Sequence, residues 1–138
     1  MAHPTRSVRA IIYSDGASSG NPGPAGIGAV VTVGEKQYEI SRSIGIATNN
    51  MAEYQAIISA LEIAKREGAD GVEIYLDSEL VVKQLKGEYR VKNEGLKPLY
   101  SRATSLLGSF KHVSISHIPR EENTKADALA KSAVQKSA

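Results

Sequence analysis

The sequence contains no cysteine and no tryptophan among its 138 residues. The absence of cysteine excludes disulfide bonds and thiolate metal sites, so any metal ion would need oxygen or nitrogen ligands. No apolar run approaches the ~20 residues that a membrane-spanning helix needs, and residues 1–7 lack the apolar stretch of a signal peptide. We therefore expect a cytoplasmic protein that has no membrane partner.

The sequence also lacks a strong excess of positive or negative charge, because its formal net charge is only +2. Such a small charge does not by itself indicate nucleic-acid binding. Between residues 83 and 102, however, six basic and two acidic side chains give a local charge of 6 − 2 = +4. The basic residues of this segment are Lys83, Lys86, Arg90, Lys92, Lys97 and Arg102. The segment is either an ordinary solvated surface or a patch that follows a phosphate backbone.

The remaining composition, 41% hydrophobic and 23% charged, is typical of one globular domain at this length. We predict a flexible N-terminus at residues 1–7 and a single folded domain over residues 8–138. We expect a monomer.

Hydrophobic patterning predicts the element order βββαβααβα. The first three runs are rich in β-forming residues and are separated by turn clusters, which predicts an antiparallel meander. The later alternation of strands and helices predicts parallel βαβ units. Together they predict an α/β fold with one mixed five-stranded sheet flanked by helices. The predicted strands are 8–14, 26–33, 37–44, 72–76 and 113–118, and the later helices are 78–86, 96–107 and 124–134. The first helix follows an N-cap at Asn49 or Asn50 and stops at Gly68, and Asn123 is the predicted N-cap of the last helix.

Four acidic residues stand at the ends of predicted elements. Asp15 and Asp77 directly follow predicted strands, and parallel neighbouring strands would bring them to one edge of the sheet. Glu53 and Asp127 fall in the predicted first turns of helices, on stripes of small and apolar residues. Carboxylates that share a site need a compensating cation, and oxygen ligands select hard ions such as Mg²⁺ or Mn²⁺. The alternatives are turn-forming aspartates and helix N-terminal acids that the helix dipole favours.

Four motifs resemble those of the ribonuclease H family, type 1. They are YSDGAS at residues 13–18 running into GNPGPAGIG at 20–28, TNNMAE at 48–53, LDS at 76–78, and His117 followed by EN at 122–123 and ADALA at 126–130. They occur in the family's order over roughly residues 8–133. One departure is clear, because the long basic protrusion, rich in Trp and Lys, that many members carry after the Asp-Ser motif is missing. The resemblance implies a ribonuclease H-like fold for the predicted sheet and helices.

The resemblance also implies an activity, the endonucleolytic hydrolysis of the RNA strand of an RNA–DNA hybrid. Two Mg²⁺ ions, with Mn²⁺ as a substitute, would be held by Asp15, Glu53, Asp77 and Asp127, with Asp15 bridging both ions. His117 matches a histidine on a mobile loop that assists proton transfer or product release. The products would carry 5′-phosphate and 3′-hydroxyl ends.

Further positions match the family's contacts with its substrate. The backbone of Gly16, Ala17 and Ser18 is expected to face the RNA sugars. Asn21 and Thr48 match positions around a DNA phosphate pocket, and Asn49, with Asn50 beside it, matches a residue in the groove that binds the hybrid. Two alternatives stay open: additional cleavage of double-stranded RNA, and a non-catalytic nucleic-acid-binding domain of the same fold. The complete set of four acids argues against a non-catalytic domain, because negative charge near phosphates does not favour binding.

Overall fold

The structure, a computed structural model, describes residues 8–136. The predicted flexible N-terminus, residues 1–7, and the last two residues lie outside the described part. The elements follow the predicted order, with one 3₁₀ helix added before the last helix. The strands are β1 (Arg9–Ser18), β2 (Gly23–Val33), β3 (Lys36–Ala47), β4 (Gly71–Leu76) and β5 (His112–His117). The helices are α1 (Asn49–Arg66), α2 (Glu79–Leu85), α3 (Lys97–Leu107) and α4 (Thr124–Lys136), and the 3₁₀ helix spans Arg120–Glu122.

The five strands form one mixed sheet in the order β3-β2-β1-β4-β5. β1 pairs antiparallel with β2, and β2 with β3, whereas β1–β4 and β4–β5 are parallel pairs. The predicted mixed sheet, antiparallel in its first half and parallel in its second, is therefore confirmed. The parallel pairing of β1 and β4 ends at Tyr13 and Tyr75, so the chain just beyond this pair forms the carboxyl edge of the sheet.

Helices cover both faces of the sheet. α1 contacts β1 and β2, whereas α4 contacts β1, β2 and β3. Gly16 lies against the backbone of α1, while Gly28, the cross-strand partner of Asp15, lies against the backbone of α4. Because successive residues of a strand point to opposite faces, α1 and α4 pack on opposite faces. The core is made of aliphatic side chains such as Ile12, Leu61 and Ile74, all without exposed surface.

The N-cap of α1 is Thr48, whose Oγ1 accepts a hydrogen bond from the backbone N–H of Met51 at 3.1 Å. The prediction of Asn49 or Asn50 as the cap was wrong because a threonine hydroxyl one residue earlier already fills that role. The predicted stop at Gly68 agrees with the structure, where Gly68 adopts a φ of +80° just beyond the helix.

Several predicted strand ends differ from the structure, and the end of β1 bears directly on the acids. β1 continues four residues past its predicted end at Ser14, because β2 keeps pairing with it as far as Ser18 and Ala25. Asp15 therefore lies inside a strand rather than after one. His117 is the last residue of β5 and pairs in register with Leu76, so it lies in a strand as the predicted range 113–118 implied, and the strand ends one residue earlier than predicted. Within residues 8–136 no helix is long and apolar enough to cross a membrane.

Candidate functional site

A glycine in β1 allows α1 to approach the sheet closely. A Cβ atom at Gly16 would overlap the backbone of Ala52 and Glu53, so only glycine permits this contact. The close approach brings the carboxylate of Glu53 to the strand, where its Oε1 accepts a hydrogen bond from the Gly16 N–H at 2.7 Å. The Glu53 side chain of α1 is thereby fixed beside Asp15.

A second glycine allows α4 to approach the opposite face of the sheet closely. Gly28 of β2 lies across from Asp15, and a Cβ atom there would overlap the carbonyl oxygen of Ala126 and the backbone nitrogen of Ala130. The first turn of α4 therefore rests directly on β2 and brings Asp127 towards Asp15. The glycines of β1 and β2 are the sequence signal for both close approaches, which were not predicted.

The four predicted acids line one cavity of about 410 Å³ at the carboxyl edge of the sheet. One oxygen from each of Asp15, Glu53 and Asp77 lies within 4.8 Å of the other two. Asp127 lines the same cavity but stands outside this tight group. Asp15 and Glu53 are each only 6% exposed, which is unusual for ionisable side chains. Three ligand oxygens at this spacing are suited to a hard cation.

Glu53 occupies the second turn of α1, not the first turn that the sequence predicted, because the helix already begins at Asn49. No acidic residue lies in the first turn of α1. The helix dipole acts mainly within the first turn, so it does not explain a buried carboxylate at this position. Asp127 does lie in the first turn of α4, as predicted.

Burial changes the protonation of the two innermost acids. Burial raises the pKa of Asp15 to about 6, and the neighbouring charge of Asp77 adds to this rise. Burial also raises the pKa of Glu53 well above its ordinary range, with the nearby Asp15 adding to the rise and the Gly16 N–H opposing it. Among residues 8–136, the Oε2 atom of Glu53 is buried without a hydrogen-bond partner. The carboxylates of Asp15, Glu53 and Asp77 thus have too little positive charge and too few hydrogen-bond donors near them, and a bound cation would supply the missing charge.

Asp127 differs from the other three acids because it has a cationic partner. Its Oδ2 lies 3.0 Å from the Nζ atom of Lys131, one helical turn later. Although partial burial acts in the opposite direction, the hydrogen bond from Lys131 keeps the pKa of Asp127 below its ordinary value. Lys131, Arg120 and Ser78 also line the cavity. None of these three residues was predicted from the sequence, although the four-residue spacing of Asp127 and Lys131 on a helix indicates their pairing.

Asn123 occupies the predicted N-cap position, since α4 begins at Thr124 and the Asn123 carbonyl accepts from the Asp127 N–H, but its side chain has another function. Its side chain is almost fully buried, and its amide Nδ2 donates to the carbonyl oxygen of Ser14 at 2.9 Å and to Asp77 Oδ2 at 3.2 Å. Its Oδ1 atom has no partner among the described residues, so the side chain does not cap the helix. The side-chain partners could not be predicted because capping is a local pattern, whereas these partners are 46 and 109 residues away in the sequence.

The predicted substrate-binding residues form a connected group beside the acids. Gly16, Ala17, Ser18, Asn49 and Asn50 line the cavity. The backbone N–H of Ser18 donates to Asn49 Oδ1 at 3.0 Å, so this N–H and that of Gly16 are already engaged within the protein.

Asn21 and Thr48 lie outside the cavity lining and hold the start of α1. Asn21 Oδ1 accepts from the backbone N–H of Asn49 at 3.0 Å, and Thr48 caps the helix. Both residues therefore position the asparagines that follow them. His117 is exposed at the end of β5 and is not part of the cavity lining either.

The net charge around the basic segment 83–102 is lower in the structure than the sequence of the segment suggests. Three of its six cations form ion pairs, Lys83 with Glu79, Lys97 with Glu94, and Arg102 with Glu62. Glu79 and Glu62 lie outside the segment, so counting them lowers the local charge from +4 to +2. Within the described part of the chain, Lys86, Arg90 and Lys92 are the cations of this segment that lack an ion pair. A surface that follows phosphates would depend on these three.

Comparison with known proteins identifies the family. Residues 13–133 match a family model described as reverse transcriptase-like. The chain is 46% identical over 136 residues to ribonuclease HI of Halobacterium salinarum, a match that covers 97% of this chain and 68% of that protein. The chain belongs to the ribonuclease H family. It is also 41% identical over 134 residues to a bifunctional protein of Mycobacterium tuberculosis, of which it spans 37%.

Solved structures of ribonucleases H share the fold. The crystal structure of ribonuclease H1 from Halobacterium salinarum superimposes with a TM-score of 0.85 at 45% identity and covers 93% of this chain and 98% of that one. LC11 ribonuclease H1, isolated from compost, was crystallised in complex with an RNA/DNA hybrid. It matches with a TM-score of 0.84 at 42% identity, covering 92% of this chain and 97% of that one. The ribonuclease H fold predicted from the motifs is thereby confirmed.

Proposed function

We propose that this chain hydrolyses the RNA strand of an RNA–DNA hybrid with the help of divalent cations held by its carboxylates. Its family membership supports this function, as does a relative at 42% identity whose structure contains an RNA/DNA hybrid. The observation that carries the proposal is the convergence of Asp15, Glu53 and Asp77, with one oxygen of each inside 4.8 Å. Such a group is unfavourable without a cation, and the fold brings its members together from three separate elements.

The residues present fit the cation that the family implies. All donors are carboxylate oxygens, and the buried Oε2 of Glu53 has no partner within residues 8–136. Asp15, Glu53 and Asp77 would hold one Mg²⁺, and Asp15 with Asp127 would hold a second, with Mn²⁺ as a substitute. When bound, the ions supply Lewis-acid activation of water and neutralise charge that develops on the leaving 3′-oxygen. Cleavage at that bond leaves 5′-phosphate and 3′-hydroxyl ends.

The protein's own groups hold the carboxylates in place before any cation binds. The Gly16 N–H fixes one oxygen of Glu53, and the amide of Asn123 fixes one oxygen of Asp77. Preorganised ligands avoid a reorganisation cost during the reaction. Lys131 balances part of the charge on Asp127 and also lines the cavity, where it can contact a substrate phosphate.

Strand selection requires contacts with ribose. The 2′-hydroxyl is both a donor and an acceptor, and it distinguishes RNA from DNA. Asn50 lines the cavity and its side-chain amide offers both kinds of group, whereas the hydroxyl of Ser18 already donates to the Gly20 carbonyl and offers only an acceptor. Because the N–H groups of Gly16 and Ser18 are engaged, the carbonyl groups and side chains of this rim make the contacts with the RNA strand.

Parallel cleavage assays test the proposed function. The purified chain is incubated with an end-labelled RNA–DNA hybrid, an RNA duplex or a DNA duplex, each with Mg²⁺ or with EDTA. We expect endonucleolytic cleavage of the RNA strand in the hybrid only, dependent on Mg²⁺, with 5′-phosphate ends identified by mass spectrometry. Asp77→Asn is expected to abolish cleavage. Glu73→Gln should leave it unchanged, because Glu73 lies within β4, pairs with Arg9 and is not part of the cavity lining.

The outcomes separate the competing functions. Equal cleavage of the RNA duplex would replace hybrid specificity by the broader ribonuclease activity. Binding of the hybrid without any cleavage would indicate a non-catalytic domain. Full activity of Asp77→Asn would mean that the carboxylate group is not the active site.

A further inference from the structure

Asn123 connects the segments that carry three of the four acids. Its amide donates to the carbonyl of Ser14, the residue before Asp15, and to the carboxylate of Asp77. Its own backbone carbonyl accepts from the N–H of Asp127 at 3.1 Å. A single buried residue is therefore bonded to β1, to the end of β4 and to the first turn of α4.

The backbone of Asn123 is itself held firmly. Its N–H donates to the carbonyl of Arg120 at 2.9 Å, which closes the 3₁₀ helix before α4 begins. The residue is 1% exposed, and side chains in close-packed interiors are held in defined rotamers. The donor therefore has a defined direction towards Asp77.

The chemistry of the amide suits a carboxylate that must bind a cation. An asparagine NH₂ group supplies two hydrogens, and the structure uses one for Ser14 and one for Asp77. Because the amide is neutral, it orients the Asp77 carboxylate without cancelling its negative charge. The ammonium of Lys131, by contrast, offsets part of the charge on Asp127. Among the described residues, Asn123 supplies the hydrogen bond found to the Asp77 carboxylate.

The cost of this arrangement argues against a purely structural role. The Oδ1 atom of Asn123 is buried and has no partner among residues 8–136. An unsatisfied buried carbonyl lowers stability, and an apolar side chain of similar size would avoid that loss. An amide at this position is explained by the donor that it directs at Asp77.

We propose that Asn123 is a positioning residue that orients the Asp77 carboxylate for cation binding. This inference rests on the proposed function, because it assumes that the Asp77 group binds a divalent cation. Groups that orient metal ligands typically change metal affinity or activity by ~10–100-fold when they are removed. The expected effect of removing Asn123 is a loss of cation affinity in that range, together with a fall in kcat and little change in KM.

The test compares Asn123→Ala and Asn123→Leu with wild type and with a matched control, Gln84→Ala. Gln84 is also a buried amide, 5% exposed, and its Oε1 accepts from the Tyr54 hydroxyl at 2.7 Å, away from the cavity. Mn²⁺ binding to the substrate-free proteins is measured by electron paramagnetic resonance, below the unfolding temperature of every variant. Cleavage of the hybrid is measured over a range of Mg²⁺ concentrations.

We expect both Asn123 variants to bind Mn²⁺ ~10–100-fold more weakly than wild type and to need correspondingly more Mg²⁺ for half-maximal cleavage. Gln84→Ala should lose stability while keeping wild-type cation affinity. Wild-type Mn²⁺ affinity in either folded Asn123 variant would overturn the inference, and so would an equal loss in Gln84→Ala. If the wild type binds Mn²⁺ but cleaves no hybrid, the proposed function fails, and the comparison of affinities still decides the role of Asn123.

Discussion

Replacing Asp15 by asparagine should stabilise the protein in the absence of divalent cations. Burial among other acids raises the pKa of Asp15 from 3.8 to about 6, so ionisation of this group opposes folding. That difference corresponds to ~3 kcal/mol of unfolding free energy when the carboxyl is fully ionised in both states. Asparagine has nearly the same shape and carries no charge. We therefore expect Asp15→Asn to gain ~1–3 kcal/mol at pH 7.5, the upper value being the full electrostatic effect.

The pH dependence follows from the direction of the shift. A carboxyl whose pKa is higher in the folded protein favours folding at low pH, and this contribution disappears as the pH rises through about 6. Wild-type protein in EDTA should therefore lose stability, relative to Asp15→Asn, between about pH 4 and pH 7. The difference between the two proteins should be small at pH 4 and largest above pH 7.

Urea unfolding followed by circular dichroism, at a series of pH values in EDTA, measures this effect. Glu121→Gln removes an exposed acid and serves as the control, with an expected change within about 0.5 kcal/mol. Saturating Mg²⁺ should stabilise the wild type, by ~2.7 kcal/mol at 100 times its dissociation constant, and should stabilise Asp15→Asn much less. If Asp15→Asn is equally or less stable than wild type at pH 7.5 in EDTA, the electrostatic reasoning is refuted.

Three further substitutions test other parts of the site. Gly28→Ala places a Cβ against the backbone of α4 and should lower the unfolding free energy by ~1–3 kcal/mol. Gly108→Ala is the control and should not lower it, because the nearest atom to the added Cβ, the carbonyl oxygen of Ser105, is 3.4 Å away. Lys131→Gln removes the ammonium from the α4 carboxylate, so half-maximal cleavage should need less Mg²⁺. Lys125→Gln changes an equally exposed lysine of the same helix, which pairs with Glu39 of β3, and should leave that concentration unchanged. A shift in both variants would mean a general charge effect. His117→Ala should slow turnover while leaving measurable cleavage, and complete loss of cleavage would show that its assisting role is misassigned.

The elements of the fold could be predicted because their signals are local. α1 buries residues at helical spacing, such as Ile57, Leu61 and Ala64, and Gly68 follows with the positive φ that its position suggested. The strands were recognised from short β-rich runs between turns. Their ends were less certain, since β1 continues past Ser14 only because β2 pairs with it that far.

The sequence by itself determined the order of the elements and the identity of the four acids, because periodicity and residue type are written along the chain. Only the tertiary structure decided how these acids meet. Gly16 and Gly28 let two helices contact the sheet closely, and Asn123 bonds to groups 46 and 109 residues away. Such contacts depend on the packing distance between elements and on burial, and neither quantity appears in any local stretch of sequence.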